Sequence, residues 1–223
     1  AIEQEVQLAD ASVAEVLTSA PLVVKDSAIT GVSGAEYGIR GWLHATNLKD
    51  GSKNWRTYTI PAPGEPGSET WKQGPESHSK DAWMHGGGST WVVGSYDPDL
   101  NVIYWGVGNP GPDWDNEYRP GDNLYSNSVL ALDADSGKIK WYFQYTPNDP
   151  YDFDGVNEQT LVDAKVFGKK PKAVLHADSN GFAYALARES GKFLWGSPFV
   201  KTLACNAGLD TYTVIPIDSY PTK

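Results

Sequence analysis

The chain has one cysteine, Cys205, in 223 residues. An internal disulfide is therefore excluded, and a lone cysteine is more often a small buried apolar residue than a nucleophile. No uncharged apolar run reaches the roughly 18 residues a membrane-spanning helix needs, so no such span is expected. No basic segment precedes an apolar one near the start, so no signal peptide is expected there. The chain opens AIEQEVQ without methionine, as a mature chain or a fragment would. Several catalytic motifs are missing too. There is no GxSxG, no CxxC, no GxxxxGK followed by Ser or Thr, and no strand-linked GxGxxG. Hydrolase triads, redox dithiols, nucleotide loops and Rossmann cofactor sites thus have no support. His44, His78, His85 and His176 show neither HxH nor HExxH spacing, so zinc has none either. Basic residues are few. Eighteen Lys and Arg against 28 Asp and Glu give a net charge of −10, which makes nucleic acid and anionic membranes poor partners. Simple solubility accounts for that charge.

What is abundant points to strands. Nine Trp and twelve Tyr outnumber six Phe, and half-buried polar rings suit sheets better than a helix bundle. Gly and Pro, 23 and 15 residues, suit short strands joined by tight turns. Ala11 to Ser19 offers at most a short helical turn, ended by Ala20-Pro21. From Leu22 onward the texture is β: LVV, AITGVS, then GWLHATN. Residues 61–80 hold four prolines and read as a long surface loop. Trp91–Ser95 and Asn101–Val107 are expected to form a hairpin around DPDL. Ser128–Asp133 and Ile139–Tyr145 form another around ADSGK. Leu161–Val166, Ala173–His176, Phe182–Ala187 and Phe193–Trp195 continue the pattern. No amphipathic helix of three turns is expected.

The chain also repeats itself. ATNLKDGSKNW (Ala45 to Trp55), ALDADSGKIKW (Ala131 to Trp141) and ALARESGKFLW (Ala185 to Trp195) share an Ala, a turn ending in Gly, and a Trp ten residues after the Ala. Gly at a left-handed turn position joins two antiparallel strands, and the small Ala leaves room for a large ring. Three such units predict a repeated four-stranded sheet docking on its neighbour through Trp. The expected fold is all-β: a β-propeller with three to four blades in one domain over 1–223, broken by the 61–80 insertion. A solenoid of stacked sheets is the structural alternative.

Three stretches carry candidate chemistry. Asp152 and Asp154 in PYDFDG would share a face of an extended segment and repel unless a cation lies between them. On those two residues alone, an acidic loop in an acidic protein is the simpler account. Glu36 in GVSGAEYGIRG and Asn109 in GVGNPGP each follow an apolar strand at a Gly-bracketed turn. Together the four supply hard oxygen donors of the kind Ca²⁺ takes. Three carboxylates with an amide over-neutralise a divalent ion and match a trivalent one better. In GGGSTW, residues 86–91, the glycines would let a flat ligand approach the backbone, with the Trp91 face for stacking. A Gly-rich bulge beside a core Trp is the equal alternative.

GAEYGIRG, GGGSTWVVGSYDPDLNVIYWGVGNPGP, RPGDNLYSNSVLALDADSGKIKW and TPNDPYDFDGVNE resemble the quinoprotein alcohol dehydrogenases, which use pyrroloquinoline quinone (PQQ). The resemblance runs from about Thr18 to about Trp195 and covers well under half of a full-length member, whose fold is an eight-bladed propeller. It implies that Trp91 is the floor on which PQQ stacks and that Thr18, Ser33 and Ser89 donate to the PQQ carboxylates. It implies Glu36, Asn109, Asp152 and Asp154 as metal ligands. Asp152 would be the base that takes the alcohol proton as hydride passes to the quinone, with the metal as Lewis acid. Asp154 matches the extra aspartate of the lanthanide-dependent branch, in agreement with the charge argument, so a lanthanide is favoured with calcium as the alternative. The family further implies a primary alcohol substrate, a cytochrome c acceptor, a periplasmic setting and, in full-length form, a homodimer. The chain departs from the family in lacking its vicinal cysteine pair and an upstream arginine. Ser179 in HADSNG stands where the family has Arg or Lys, and the tail 202–223 no longer resembles it. The expectation is therefore part of an enzyme, inactive alone. A non-catalytic tryptophan-docking scaffold and a metal- or carbohydrate-binding propeller without redox chemistry remain as rival readings.

Overall fold

A computed structural model describes residues 4–72, 80–163 and 172–202, together with the backbone of two later strands. It contains three four-stranded antiparallel sheets, each a simple meander. The first holds β1 (Leu22–Val24), β2 (Ser27–Gly31), β3 (Trp42–Asn47) and β4 (Lys53–Tyr58). The second holds β5 (Ser95–Asp97), β6 (Val102–Val107), β7 (Ser128–Asp133) and β8 (Ile139–Gln144). The third holds β9 (Thr160–Val162), β10 (Ala173–Ala177), β11 (Phe182–Ala187) and β12 (Phe193–Pro198). In the tail, β13 (Asn206–Leu209) pairs with β14 (Pro216–Asp218) as a separate ribbon. Among the described residues the helices are single 3-10 turns, one of them at Ala11–Val13.

Strand alternation explains why the sheets stack. In the middle sheet, Ile103, Trp105, Val107, Leu130 and Leu132 face a core shared with Val24, Ile29, Leu43 and Trp55 of the first sheet. The intervening Val102, Tyr104, Val129 and Ala131 face a second core with Val174, Phe182, Tyr184 and Leu186 of the third. Both faces of β6 and β7 are apolar because both are covered.

The repeat works as a docking device. Ala45, Ala131 and Ala185 lie directly across from Trp55, Trp141 and Trp195, and the register shifts by a bulge immediately after each Ala. Trp55 Nε1 then donates to the Ala134 carbonyl of the next sheet at 3.1 Å. Trp141 Nε1 donates to the Arg188 carbonyl at 3.0 Å. Ala134 and Arg188 occupy the same place in their repeats. Gly137 and Gly191 lie in the left-handed region, with φ of 70° and 69°. A Cβ on either would come within 2.5 Å of the docked indole, so glycine is required twice over. Burying one such ring removes roughly 150–250 Å² from water, or about 4–6 kcal/mol of transfer free energy.

Some expectations change. Trp91–Ser95 is not a strand, because Trp91 to Gly94 runs as an unpaired connection and β5 begins at Ser95. The strand expected over Leu161–Val166 is β9, three residues long, and its last expected residues lie outside those described. Cys205, His78 and residues 73–79 of the loop also lie outside them.

Candidate cofactor and metal site

The site forms where β2 and β6 end. Beyond β2 the chain turns through Ala35–Tyr37, a 3-10 turn bracketed by Gly34 and Gly38 at positive φ, which presents Glu36 to solvent. Residues 86–90 thread between the first and second sheets, with Gly87 bridging Arg40 on one side and Pro110 on the other. A Cβ on Gly31 would collide with the Thr90 carbonyl, and one on Gly41 with that of Gly88. The glycine triplet is likewise consumed by packing. A Cβ on Gly86 would strike Trp71 and Ile60, and one on Gly88 would strike Ile60. This corrects the expectation that the triplet clears a path for a ligand: protein fills that space.

Trp91 is held at its backbone and open at its ring. Trp105 Nε1 donates to the preceding Thr90 carbonyl at 3.1 Å, while Thr90 Oγ1 accepts from Val32 N and donates to the Trp42 carbonyl. The Trp91 residue is 39% exposed, so it is not a core tryptophan. Thr18 Oγ1 lies 2.7 Å from Ser33 Oγ and 3.4 Å from the Trp91 carbonyl oxygen. Ser89 is buried, and its carbonyl accepts from Gly108 N at 2.8 Å.

Asp154 joins these elements. Its Oδ2 accepts from Trp91 Nε1 at 2.8 Å and its Oδ1 from Asn109 N at 3.3 Å. A side chain on Gly108 would collide with Asp154 Oδ1 and reach 3.0 Å from Ser89 Oγ. Asn109 donates its own amide to Asp113 Oδ1 at 2.5 Å and to the Pro110 carbonyl. Its Oδ1 therefore points the other way, and among the described residues nothing donates to it. Asp152 and Asp154 do not share an extended segment. Both have left-handed φ, 61° and 55°, a region aspartate tolerates better than most residues. The alternation argument for their common side thus fails, and a compact turn does the work instead.

The carboxyls here are hard to ionise together. Burial pushes Asp154 up to about 7, against its bonds from Trp91 and Asn109 and helped by repulsion from Asp152 and Glu36. Desolvation and then repulsion from Asp113, Asp149 and Glu36 raise Asp152 to about 6. Burial also raises Asp113, with Glu36 adding repulsion. Among the described residues no three His, Cys, Asp or Glu side chains are drawn around one point. The donor set nevertheless suits a cation: three acidic side chains in mutual repulsion and an amide oxygen without a donor.

A pH dependence follows. With folded values above the unfolded ones, these two aspartates bind more protons in the native state between about pH 4 and 7. Their contribution to stability falls as pH rises through that window. Asp154→Asn is expected to remove several degrees of the decline in Tm measured from pH 5 to pH 7.5 in ion-free buffer. An identical pH profile for variant and parent would refute the coupling.

Ser179 is exposed on the turn after β10, where the neighbouring Asp178 packs against Gly155 of the acidic turn. Asp113, Arg119, Asn127 and Asp149 were not anticipated. Only the last, as the first acid of NDPYDFD, carried any sequence hint.

Docked four-stranded antiparallel sheets, with an acidic and aromatic cluster on their connecting turns, have the build of β-propeller blades. The chain belongs to the family described as "PQQ: Glucose/ethanol/alcohol dehydrogenase, beta-propeller domain", which it matches over residues 1–202, beginning earlier than Thr18. It is 44% identical over 207 residues to the quinoprotein alcohol dehydrogenase PedH of Pseudomonas putida, covering 87% of this chain and 34% of that protein. It is 40% identical over 209 residues to the lanthanide-dependent methanol dehydrogenase of Methylacidiphilum fumariolicum, covering 86% and 33%. A solved europium-containing methanol dehydrogenase superposes with a TM-score of 0.85 at 37% identity, covering 95% of this chain and 38% of that one. The chain thus spans about a third of the length of the curated relatives it matches.

Proposed function

We propose that the chain forms the metal- and PQQ-holding part of a dehydrogenase that oxidises a primary alcohol to an aldehyde. The observation that carries this is the position of Asp154, bonded at once to the indole of Trp91 and the backbone of Asn109. One carboxylate thereby fixes the aromatic platform against the donors for the ion. Trp91 would carry the flat cofactor on its open face, with Thr18, Ser33 and Ser89 donating to its carboxylates. Glu36, Asn109 Oδ1, Asp152 and Asp154 would hold the ion. A lanthanide is favoured over calcium by the three carboxylates, and similarity to a lanthanide-dependent relative supports this. When bound, PQQ supplies the two-electron acceptor for the hydride of the alcohol carbon. The chain's own part is proton management. Asp152 would take the hydroxyl proton as general base.

A relative named as a cytochrome c methanol dehydrogenase supports a cytochrome c acceptor, and the family reading brings with it a periplasmic setting and a homodimeric whole enzyme. The isolated chain is expected to bind without turning over. Ser179 favours a second reading, a non-catalytic tryptophan-docking scaffold, because a short neutral side chain gives little help to charge developing on a quinone.

The test is titration with PQQ, with and without La³⁺ or Ca²⁺, followed by tryptophan fluorescence. Quenching that requires the ion and disappears in Trp91→Ala is expected. Absence of quenching under every condition would leave the scaffold reading standing.

A further inference from the structure

We infer that Arg119 is a positioning residue: it clamps the turn bearing Asn109 to the turn bearing Asp152 and Asp154, through a buried network with Asn123, Asn127 and Asp149. This rests on the metal-site reading above.

Arg119, Asn123, Asn127 and Asp149 are all fully buried. The guanidinium divides its donors between the two turns. Nε reaches the Pro112 carbonyl at 3.0 Å and Nη2 the Asp113 carbonyl at 3.1 Å, on the Asn109 side. Nη2 also reaches the Asp149 carbonyl at 2.6 Å, on the acidic side, and Nη1 reaches Asn123 Oδ1 at 2.9 Å. All these acceptors are neutral. Burial lowers the Arg119 pKa to about 10, with Asp149 the first group to counter it, so the cation persists at neutral pH. A buried cation bonded only to neutral oxygens is a costly way to fill space. Its fork geometry, rather than its volume, is what the two turns use.

Asp149 and Asn127 pass the constraint on. Asp149 Oδ1 accepts from Tyr151 N at 2.8 Å, and Oδ2 accepts from Phe153 N at 2.8 Å and from Asn127 Nδ2 at 2.6 Å. Asn127 Oδ1 accepts from Gly155 N at 3.1 Å. Every second amide, at 151, 153 and 155, is thus tied inward. The residues between them are Asp152 and Asp154, both at positive φ.

Terbium(III) titration of this chain, read by tryptophan-sensitised luminescence, tests the role together with hydrogen exchange at residues 149–156. Arg119→Lys keeps the charge and loses the fork. It is expected to weaken Tb³⁺ binding about 10–100-fold, as loss of an outer partner of metal ligands typically does. It should also add ion-bound water, read from lifetimes in H₂O and D₂O, and strip protection from the 151, 153 and 155 amides. Asn127→Ser, which removes the Gly155 tether and the Asn127–Asp149 bond but leaves Arg119 in place, serves if Arg119→Lys does not fold. Leu132→Ala, a core truncation away from both turns, should lower Tm and leave affinity and water count unchanged. Unchanged exchange at 149–156, or loss of affinity in Leu132→Ala equal to that in Arg119→Lys, overturns the inference. If the parent chain binds no Tb³⁺, the metal reading fails, and exchange at the three amides still decides whether Arg119 holds the turn.

Discussion

Asp154→Ala is expected to weaken La³⁺ binding by about two orders of magnitude, on the scale over which ligand charge tunes such sites, and to bring La³⁺ and Ca²⁺ affinities close together. On the metal-site reading proposed above, three carboxylates and an amide would face the ion with Asp154 present. Without it, two carboxylates and an amide remain, a match for a divalent charge. The same change should make the ion-free chain more stable at pH 7.5. Asp154 there is a half-buried carboxyl raised to about 7 and crowded by Asp152 and Glu36, so its ionisation opposes folding. Its loss leaves Trp91 Nε1 without that acceptor, but the residue is 39% exposed and water can substitute at small cost. Affinity and stability thus move in opposite directions, which general damage to the fold cannot produce. Isothermal titration with each ion and a thermal melt without ions measure both. A chain that binds La³⁺ unchanged, or that melts earlier without ions, would show that Asp154 is a structural acceptor for Trp91 and no ligand.

Much of the fold was legible because its rules are local. An Ala, a left-handed Gly and a Trp at fixed offsets encode a bulge, a turn and a ring; the bulge and turn recur in three sheets, and the ring docks on the next sheet at Trp55 and Trp141. The site was legible only as a set of residue types. Sequence placed Glu36 and Asn109 at Gly-bracketed turns, Trp91 after a glycine triplet and Asp154 on an extended segment, but not the Trp91–Asp154 bond across 63 positions. The extended-strand argument for Asp152 and Asp154 reached a shared turn by the wrong conformation. The glycine triplet misled for a related reason. A missing side chain looks the same in sequence whether ligand or protein fills the space, and here Trp71 and Ile60 fill it. Arg119 gave no sequence signal, because a buried arginine bonded to carbonyls is defined by its acceptors, and any residue can supply a carbonyl.

The same limit hid the tie between the second and third sheets, and here the expected effect on stability is largest. Arg188 lies in the third repeat at the place held by Leu48 and Ala134 in the others. Its carbonyl receives Trp141 Nε1 and Tyr104 OH, while its side chain turns inward. Nη1 meets Asp97 Oδ2 at 2.8 Å, with both side chains almost wholly buried. Nε reaches the Ala173 carbonyl and Nη2 the Val162 carbonyl, and Nη2 also contacts the exposed Asp163. Burial raises Asp97, yet Arg188 and the amides of Leu100 and Asp99 outweigh it and hold the carboxyl below its ordinary value. Arg188→Met would strand that carboxylate, at a cost of about 3–5 kcal/mol, or roughly 6–20 °C in Tm for a chain of this size. Adding Asp97→Asn should restore part of the loss, since an amide oxygen still accepts from Asp99 N and Leu100 N. Asp163→Asn should change stability by less than about 0.5 kcal/mol, because its partner is met at the solvent edge. Urea unfolding of the parent and the three variants measures each value. A cost for Arg188→Met no larger than that for Asp163→Asn would mean the sheets are held by Trp141 and the apolar core alone.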